Sequence, residues 1–219
     1  MNFTLLKIAC GVGAMGVVGT GCYFVSTNLE TSKKKTIANR LSKEKFILLN
    51  FETGNLEEWK SVLKEYEKVG NVDKFDGISL DTTSSDKDGK NIASLKAACK
   101  DLVVKEDLSE DLYRKARRWC VIPQSIKDRM EALGDKILDY TSEKSSNASW
   151  AAWEEKIKTY TGKEIISTGS AWSSPSSNDA KVDAIKKDCK SFLEGASRTY
   201  DSDFEEKYKK AITWCGLLS

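Results

Sequence analysis

The sequence predicts a mainly α-helical protein: an N-terminal transmembrane helix followed by two divergent three-helix-type repeat units, with room for a minor short strand pair. Three observations carry this. A run of 22 residues without a charge, Ile8 to Leu29, opens the chain. Apolar residues then recur at helical spacing, and only 2 prolines interrupt 219 residues, so long stretches are free to be helical. The remainder of the chain repeats itself once.

The opening run is of bilayer length, since about 20 apolar residues cross a membrane as a helix. Its core is IACGVGAMGVVGTGCYFV, and Lys7 precedes it. Gly11, Gly13, Gly16, Gly19 and Gly21 weaken its hydropathy, but glycine is common in membrane helices. Residues 1–30 therefore read as an anchor or signal segment. The preferred reading is a retained single span that meets the lipid bilayer through residues 8–29. The alternatives are a cleaved secretory signal, a lipoprotein signal at Gly19-Thr20-Gly21-Cys22, and a buried core helix. Five glycines make the last a costly choice. Orientation evidence conflicts. Lys33, Lys34, Lys35 and Arg40 follow the span, which by the positive-inside rule keeps the body in the cytoplasm. Cysteine usage points outward, and a single-pass cell-membrane protein with an extracellular body is the expectation.

The duplication places unit one at 36–121 and unit two at 125–216, with Pro123 near the join. WKSVLKEY (Trp59 to Tyr66) matches WEEKIKTY (Trp153 to Tyr160). IASLKAACK (Ile92 to Lys100) matches VDAIKKDCK (Val182 to Lys190), and YRKARRWC (Tyr113 to Cys120) matches YKKAITWC (Tyr208 to Cys215). More weakly, Arg40-Leu41 and Leu48 to Phe51 match Arg129-Met130 and Ile137 to Tyr140. Along the chain the offsets run 89, 94, 90 and 95 residues. Such drift belongs in loops, where insertions are tolerated.

Within a unit, Asn55 and Glu58 form an N-cap signature ahead of Leu56, Trp59, Leu63 and Tyr66, one helical face. Gly70 stops that helix. The polar stretch 70–90 reads as a loop. A second helix carries Ile92, Leu95, Cys99 and Leu102, matched by Val182, Ile185, Cys189 and Phe192. The third opens at a capping box, Asp107…Glu110, matched by Ser202…Glu205, and offers Leu108, Leu112, Ala116 and Trp119 to a core. Phe204, Tyr208, Ala211 and Cys215 are the equivalents. FILLNF (Phe46 to Phe51) and KILDY (Lys136 to Tyr140) lack helical periodicity and are the strand candidates. Residues 145–150 and 167–179 read as flexible loops.

Composition excludes much chemistry. Lys+Arg 35 against Asp+Glu 33 leaves a net charge of +2, which offers no electrostatic case for nucleic acid. There is no histidine, so Ser-His-Asp and Cys-His catalysis and HExxH zinc sites are absent. No Walker A, GxSxG or dinucleotide fingerprint occurs. No catalytic, cofactor-binding or metal residue is singled out, and no cofactor is expected.

Cys10 and Cys22 fall in the opening segment; the other four fall two per unit. The duplication favours the pairs Cys99–Cys120 and Cys189–Cys215. A tight antiparallel hairpin of helices two and three would instead set Cys99 opposite Tyr113, about 10 Å from Cys120 along the helix, beyond the roughly 7 Å a disulfide tolerates. Either the helices cross steeply, or the thiols are free and buried as small hydrophobes. The basic cluster Arg114, Lys115, Arg117 and Arg118 reads as a solvated helix face rather than a phosphate site. Asp86-Lys87-Asp88-Gly89 lacks the acidic first and twelfth ligands of a calcium loop. Trp59, Trp119, Trp153 and Trp214 lie in the repeated helices and read as core. Trp150 and Trp172 lie outside the matched blocks and are the candidates to face a partner.

An N-terminal glycine-bearing span, a body of repeated W-x3-[LI]-K-x-Y and LK-x2-C-K blocks and a terminal Trp-Cys pair resemble the large paralogous families of haemotropic mycoplasmas. Those families have no assigned biochemical function. The resemblance implies a membrane-anchored protein whose paralogy suits surface exposure and antigenic diversity, and it supplies no catalytic residues. The expected function is thus a non-enzymatic membrane-anchored surface protein meeting an unknown protein or host partner, with a cytoplasm-facing membrane-tethered helical scaffold as the alternative.

Overall fold

The computed structural model describes residues 35–68, 70, 73–106, 109–159 and 177–217. They form eight α-helices: α1 Ile37–Lys43, α2 Leu56–Tyr66, α3 Lys87–Val103, α4 Glu110–Trp119, α5 Ile126–Leu133, α6 Trp150–Thr159, α7 Asn178–Leu193 and α8 Phe204–Cys215. The protein is mainly helical, as its periodicity requires. The opening segment 8–29, with Cys10 and Cys22, lies outside the described residues. Among those described, no helix is long and apolar enough to cross a membrane.

Among the described residues each unit has four α-helices, not three. α3 packs against α1, α2 and α4, and α1 also against α4; α7 packs against α5, α6 and α8, and α5 also against α8. The extra helices α1 and α5 escape the periodicity because they are so short. α1 has seven residues, of which only Ile37 and Leu41 are buried, a single i,i+4 pair. It is started by Thr36, whose hydroxyl accepts the Asn39 N–H. α5 carries a full capping box: the Ser125 hydroxyl accepts the Asp128 N–H, and the Asp128 carboxylate accepts the Ser125 N–H. It ends at Gly134, φ +83°, where a side chain would be strained.

Where the sequence left room for a minor strand pair, the described residues hold isolated bridges. Leu48 pairs with Val121, and Ile137 with Gly216. Each extended segment is tied to the residue that follows the last helix of its own unit. The Leu49 N–H donates to the Cys120 carbonyl and the Ile122 N–H to the Ile47 carbonyl; Leu138 to Cys215 and Leu217 to Lys136 repeat the pattern. Unit one has a further bridge, Thr36 to Glu106; together the bridges absorb backbone groups without building a sheet among the described residues.

Two helix starts differ from expectation. Asn55 sits in the left-handed region (φ 51°) and does not cap α2; its side chain accepts the Asn50 N–H instead. α4 is capped by Ser109, whose hydroxyl accepts the Leu112 N–H, while Asp107 and Leu108 lie outside the described residues. At α8 the N-cap position is Asp203, with no side-chain cap, rather than Ser202.

Each unit holds its own core. Trp59, Trp119, Tyr66 and Leu95 fill the first; Trp153, Phe204, Leu138 and Ile185 fill the second. The same hydrogen bond anchors the first tryptophan of each copy. The Trp59 indole N–H donates to the Asn50 carbonyl and that of Trp153 to the Asp139 carbonyl, both at 2.9 Å. A buried indole needs such an acceptor.

The units meet along a polar seam. The connection between α7 and α8 reaches the join between the units and unit one itself. There the Thr199 N–H donates to the Gln124 carbonyl, and the Gln124 N–H donates to the Thr199 hydroxyl. The Tyr200 hydroxyl meets that of Ser61 at 3.0 Å, and its carbonyl accepts the Arg118 side chain. Arg117 on α4 pairs with Glu205 at the start of α8. The Arg129 guanidinium lies 3.7 Å from the centre of the Phe46 ring. This connection is where the repeat offset rises from 90 to 95 residues, so the lengthened loop is the docking element.

Candidate functional site

One cystine lies in each unit. Cys99, in the C-terminal part of α3, is bonded to Cys120, which follows α4, with Cα atoms 5.4 Å apart. Cys189 and Cys215 repeat this at 5.7 Å. All four residues are fully buried. The end of α4 therefore returns to the C-terminal part of α3, which the tight antiparallel hairpin forbids; of the two sequence alternatives, the bonded one holds.

The basic cluster on α4 is a solvated face only in part: Arg114 is exposed. Lys115 and Arg118 are buried. Lys115 bonds Asp76 at 3.0 Å and Asp111 at 3.2 Å. Arg114 bonds Asp73 and Asp111, and Arg118 lies 3.6 Å from Asp73. The cluster clamps the α2–α3 connection onto α4 and, through Arg117, holds unit two. Its charges are matched by carboxylates, so it is not an open phosphate site.

A second motif is repeated between units. The Tyr113 hydroxyl donates to Glu44 and the Tyr208 hydroxyl to Asp135. Burial, then the neighbouring carboxylate, pushes both phenols well above the usual tyrosine range. Both phenols stay protonated and lock the first helix of a unit to its last.

Of the two tryptophans expected to face a partner, Trp150 does not. It is buried, 8% exposed, with the Lys186 and Lys144 ammonium groups 5.2 and 5.4 Å from its ring. It opens α6 and closes over α7, a packing role that spacing outside the matched blocks did not reveal. Trp172 lies outside the described residues. Trp214, read as core, is half-buried, unlike its counterpart Trp119. Two buried lysines serve backbone carbonyls. Lys186 donates to that of Ser142 at 2.6 Å. Lys156 donates to that of Thr213 in the last turn of α8, satisfying a helix-end acceptor; burial pushes its ammonium below the usual lysine range.

Asp139 and Asn50 hold the same turn in the two units. Oδ1 of Asp139 accepts the N–H groups of Thr141 and Ser142; Oδ1 of Asn50 accepts those of Glu52 and Thr53. Hydrogen bonds from the Ser142 side chain and from the two amides hold the Asp139 carboxyl well below the usual carboxylate range. A depressed carboxyl stabilises the fold above its unfolded pKa of about 3.9, and this contribution is lost as pH falls toward the folded value. Asp139→Asn, which copies unit one, is expected to keep the turn at neutral pH. Its urea midpoint should then fall less steeply than that of the wild type on acidification below about pH 4. Equal slopes for the two proteins would refute this role.

Beside α3 in unit one lies an open groove of about 420 Å³. Phe51 and Ile92 line its apolar part, the exposed Ala93 and Ala97 leave it room, and Lys96 and Lys100 line it as well. Lys100 bonds the Glu52 carboxylate at 2.6 Å, and Lys96 donates to the Glu52 carbonyl at 3.0 Å. No motif in the sequence marks this groove; only the small residues at helical spacing could have indicated it. Among the described residues no group of three or more cysteine or acidic side chains is placed to hold a metal. No family model, curated protein or solved structure matches the chain.

Proposed function

We propose that this chain is a non-enzymatic, membrane-anchored surface protein whose disulfide-stapled body lies outside the cell and meets host molecules or antibodies. The observation that carries the reading is the buried cystine in each unit, joined in the same way in both. Disulfides persist in oxidising compartments and are rare in reducing ones. The apolar run 8–29 supplies the tether. The polar connections between helices supply the variable surface suggested by the resemblance to the haemotropic mycoplasma families. The competing reading, a cytoplasm-facing scaffold, rests on the basic flank after the span. Arg40 is already engaged by Glu44 and Glu110, which leaves Lys33, Lys34 and Lys35 to carry that argument.

A non-reducing peptide map tests the reading. Native cells are treated with a membrane-permeant thiol-blocking reagent before lysis. Peptides joined as Cys99–Cys120 and Cys189–Cys215 are the expected result. Four alkylated cysteines would sink the surface reading and favour the scaffold.

A further inference from the structure

We infer that the Glu205 carboxylate is a two-position switch at the seam between the units: it pairs with Arg117 of unit one while the seam is closed and with Arg129 of its own unit when the seam opens. The internal duplication carries this. In unit one, Arg40 and Glu110 are the counterparts of Arg129 and Glu205. They form a two-point pair, Nη1 to Oε2 at 2.8 Å and Nη2 to Oε1 at 3.2 Å. Unit two does not repeat it. Glu205 instead reaches across the seam and takes a single bond from the Arg117 Nη1, while the Arg117 Nε is buried without a partner. Arg129 is left buried, its Nη1 also without a partner among the described residues. The carboxylates whose charge reaches it are Glu205 and Glu44. Glu205 is held by Arg117, and Glu44 is engaged by Arg40 and the Tyr113 hydroxyl. What faces the Arg129 guanidinium is the Phe46 ring, a weaker partner than a carboxylate. The closed seam therefore carries a buried cation with no ion pair, and opening returns that cation to water and to Glu205.

The connection between the units is built as a hinge with a latch. The Ile122 N–H is held by the Ile47 carbonyl of unit one, and the Ser125 N–H by the Asp128 carboxylate of unit two. Pro123 and Gln124 lie between these two fixed points. Thr199 holds both backbone groups of Gln124: its N–H donates to the Gln124 carbonyl at 3.1 Å, and its hydroxyl accepts the Gln124 N–H at 3.2 Å. A third buried polar atom without a partner, the Gln124 Oε1, sits at the same place. Each unit keeps its own core and its own cystine, so each stays folded when the latch releases. The open form bares Ser61 and Arg118 on one unit and Thr199 and Tyr200 on the other, a surface that the closed form hides.

The test is amide hydrogen exchange on the full chain with its disulfides intact. The Thr199 and Gln124 amides report the seam. Those of Leu49 and Leu138, bonded to the Cys120 and Cys215 carbonyls, report units one and two. In the wild type the seam amides should exchange about tenfold or more faster than the internal pair. R117M removes the cross-seam partner and should speed seam exchange about tenfold. R129M removes the second position together with the buried charge, and methionine still packs on the Phe46 ring. It should slow seam exchange, also by about tenfold. The opposite signs are the signature, because two merely structural arginines would both speed exchange when replaced. Unchanged exchange at Leu49 and Leu138 shows in the same measurement that each variant is folded. Faster seam exchange in R129M, or wild-type seam amides as protected as Leu49 and Leu138, would overturn the proposal. The assay does not depend on which side of the membrane the body occupies, so its failure is separate from that of the thiol map.

Discussion

The double variant C99A/C120A is expected to unfold with about 3 kcal/mol less free energy than the wild type, from the loss of a cross-link closing a loop of about 20 residues. The two cysteines are 21 residues apart, and most of the effect lies in the unfolded chain, which the bond restricts. Both side chains are fully buried, so the variant also gives up some packing. For a domain with a typical stability of about 5–15 kcal/mol, such a loss is large. Urea titration under oxidising conditions measures it. Adding reductant to the unfolding reaction should bring wild type and variant closer together, leaving the difference from the second cystine common to both. Superimposable curves under oxidising conditions would show that the bond is not formed.

Trp119→Ala should cost about 3–5 kcal/mol, and Trp214→Ala less than about 2 kcal/mol. These tryptophans are the same position in the two copies, yet their surroundings differ. Trp119 is fully buried; its indole N–H donates to the Asp73 carbonyl at 2.7 Å, and the Tyr66 ring meets it edge-on with centroids 4.9 Å apart. Trp214 is only half-buried, at the margin of the second core. Denaturation of the two single variants of the full chain measures the contrast. A loss at Trp214 as large as that at Trp119 would mean that the two copies bury this position alike.

The part of the fold that was legible in the sequence is the part with a strong local signal. α2, α3 and α4 and their copies carry three or more apolar residues at helical spacing, and the cysteines fall in matched blocks. α1 and α5 are too short to show a period. The role of the α4 cations was hidden because their partners are distant in sequence. Asp76 lies 39 residues before Lys115, Asp73 lies 41 before Arg114, and Glu205 lies 88 beyond Arg117. A charge run read alone resembles a wet face; only the fold brings the carboxylates to it. Trp150 misled for a related reason. It stands outside the matched blocks because α6 begins with it, and the cations stacked on it come from two other segments.

The way unit two seats on unit one limits how long such a molecule can grow. The contact is head-to-tail: Ser61, Arg117 and Arg118 on one unit receive Tyr200 and Glu205 of the next. Contacts of this kind propagate into open filaments when every member offers both surfaces. Here neither end is reusable. Unit one has the shorter connection between its last two helices, residues 104–109, and so has nothing to place where Tyr200 sits. Unit two has Glu155, Ile212 and Thr213 where Ser61, Arg117 and Arg118 would be needed, and its Thr213 carbonyl is taken by Lys156. Neither unit offers this contact a second time, so a third copy stacked in the same way would have to bring a docking loop of its own.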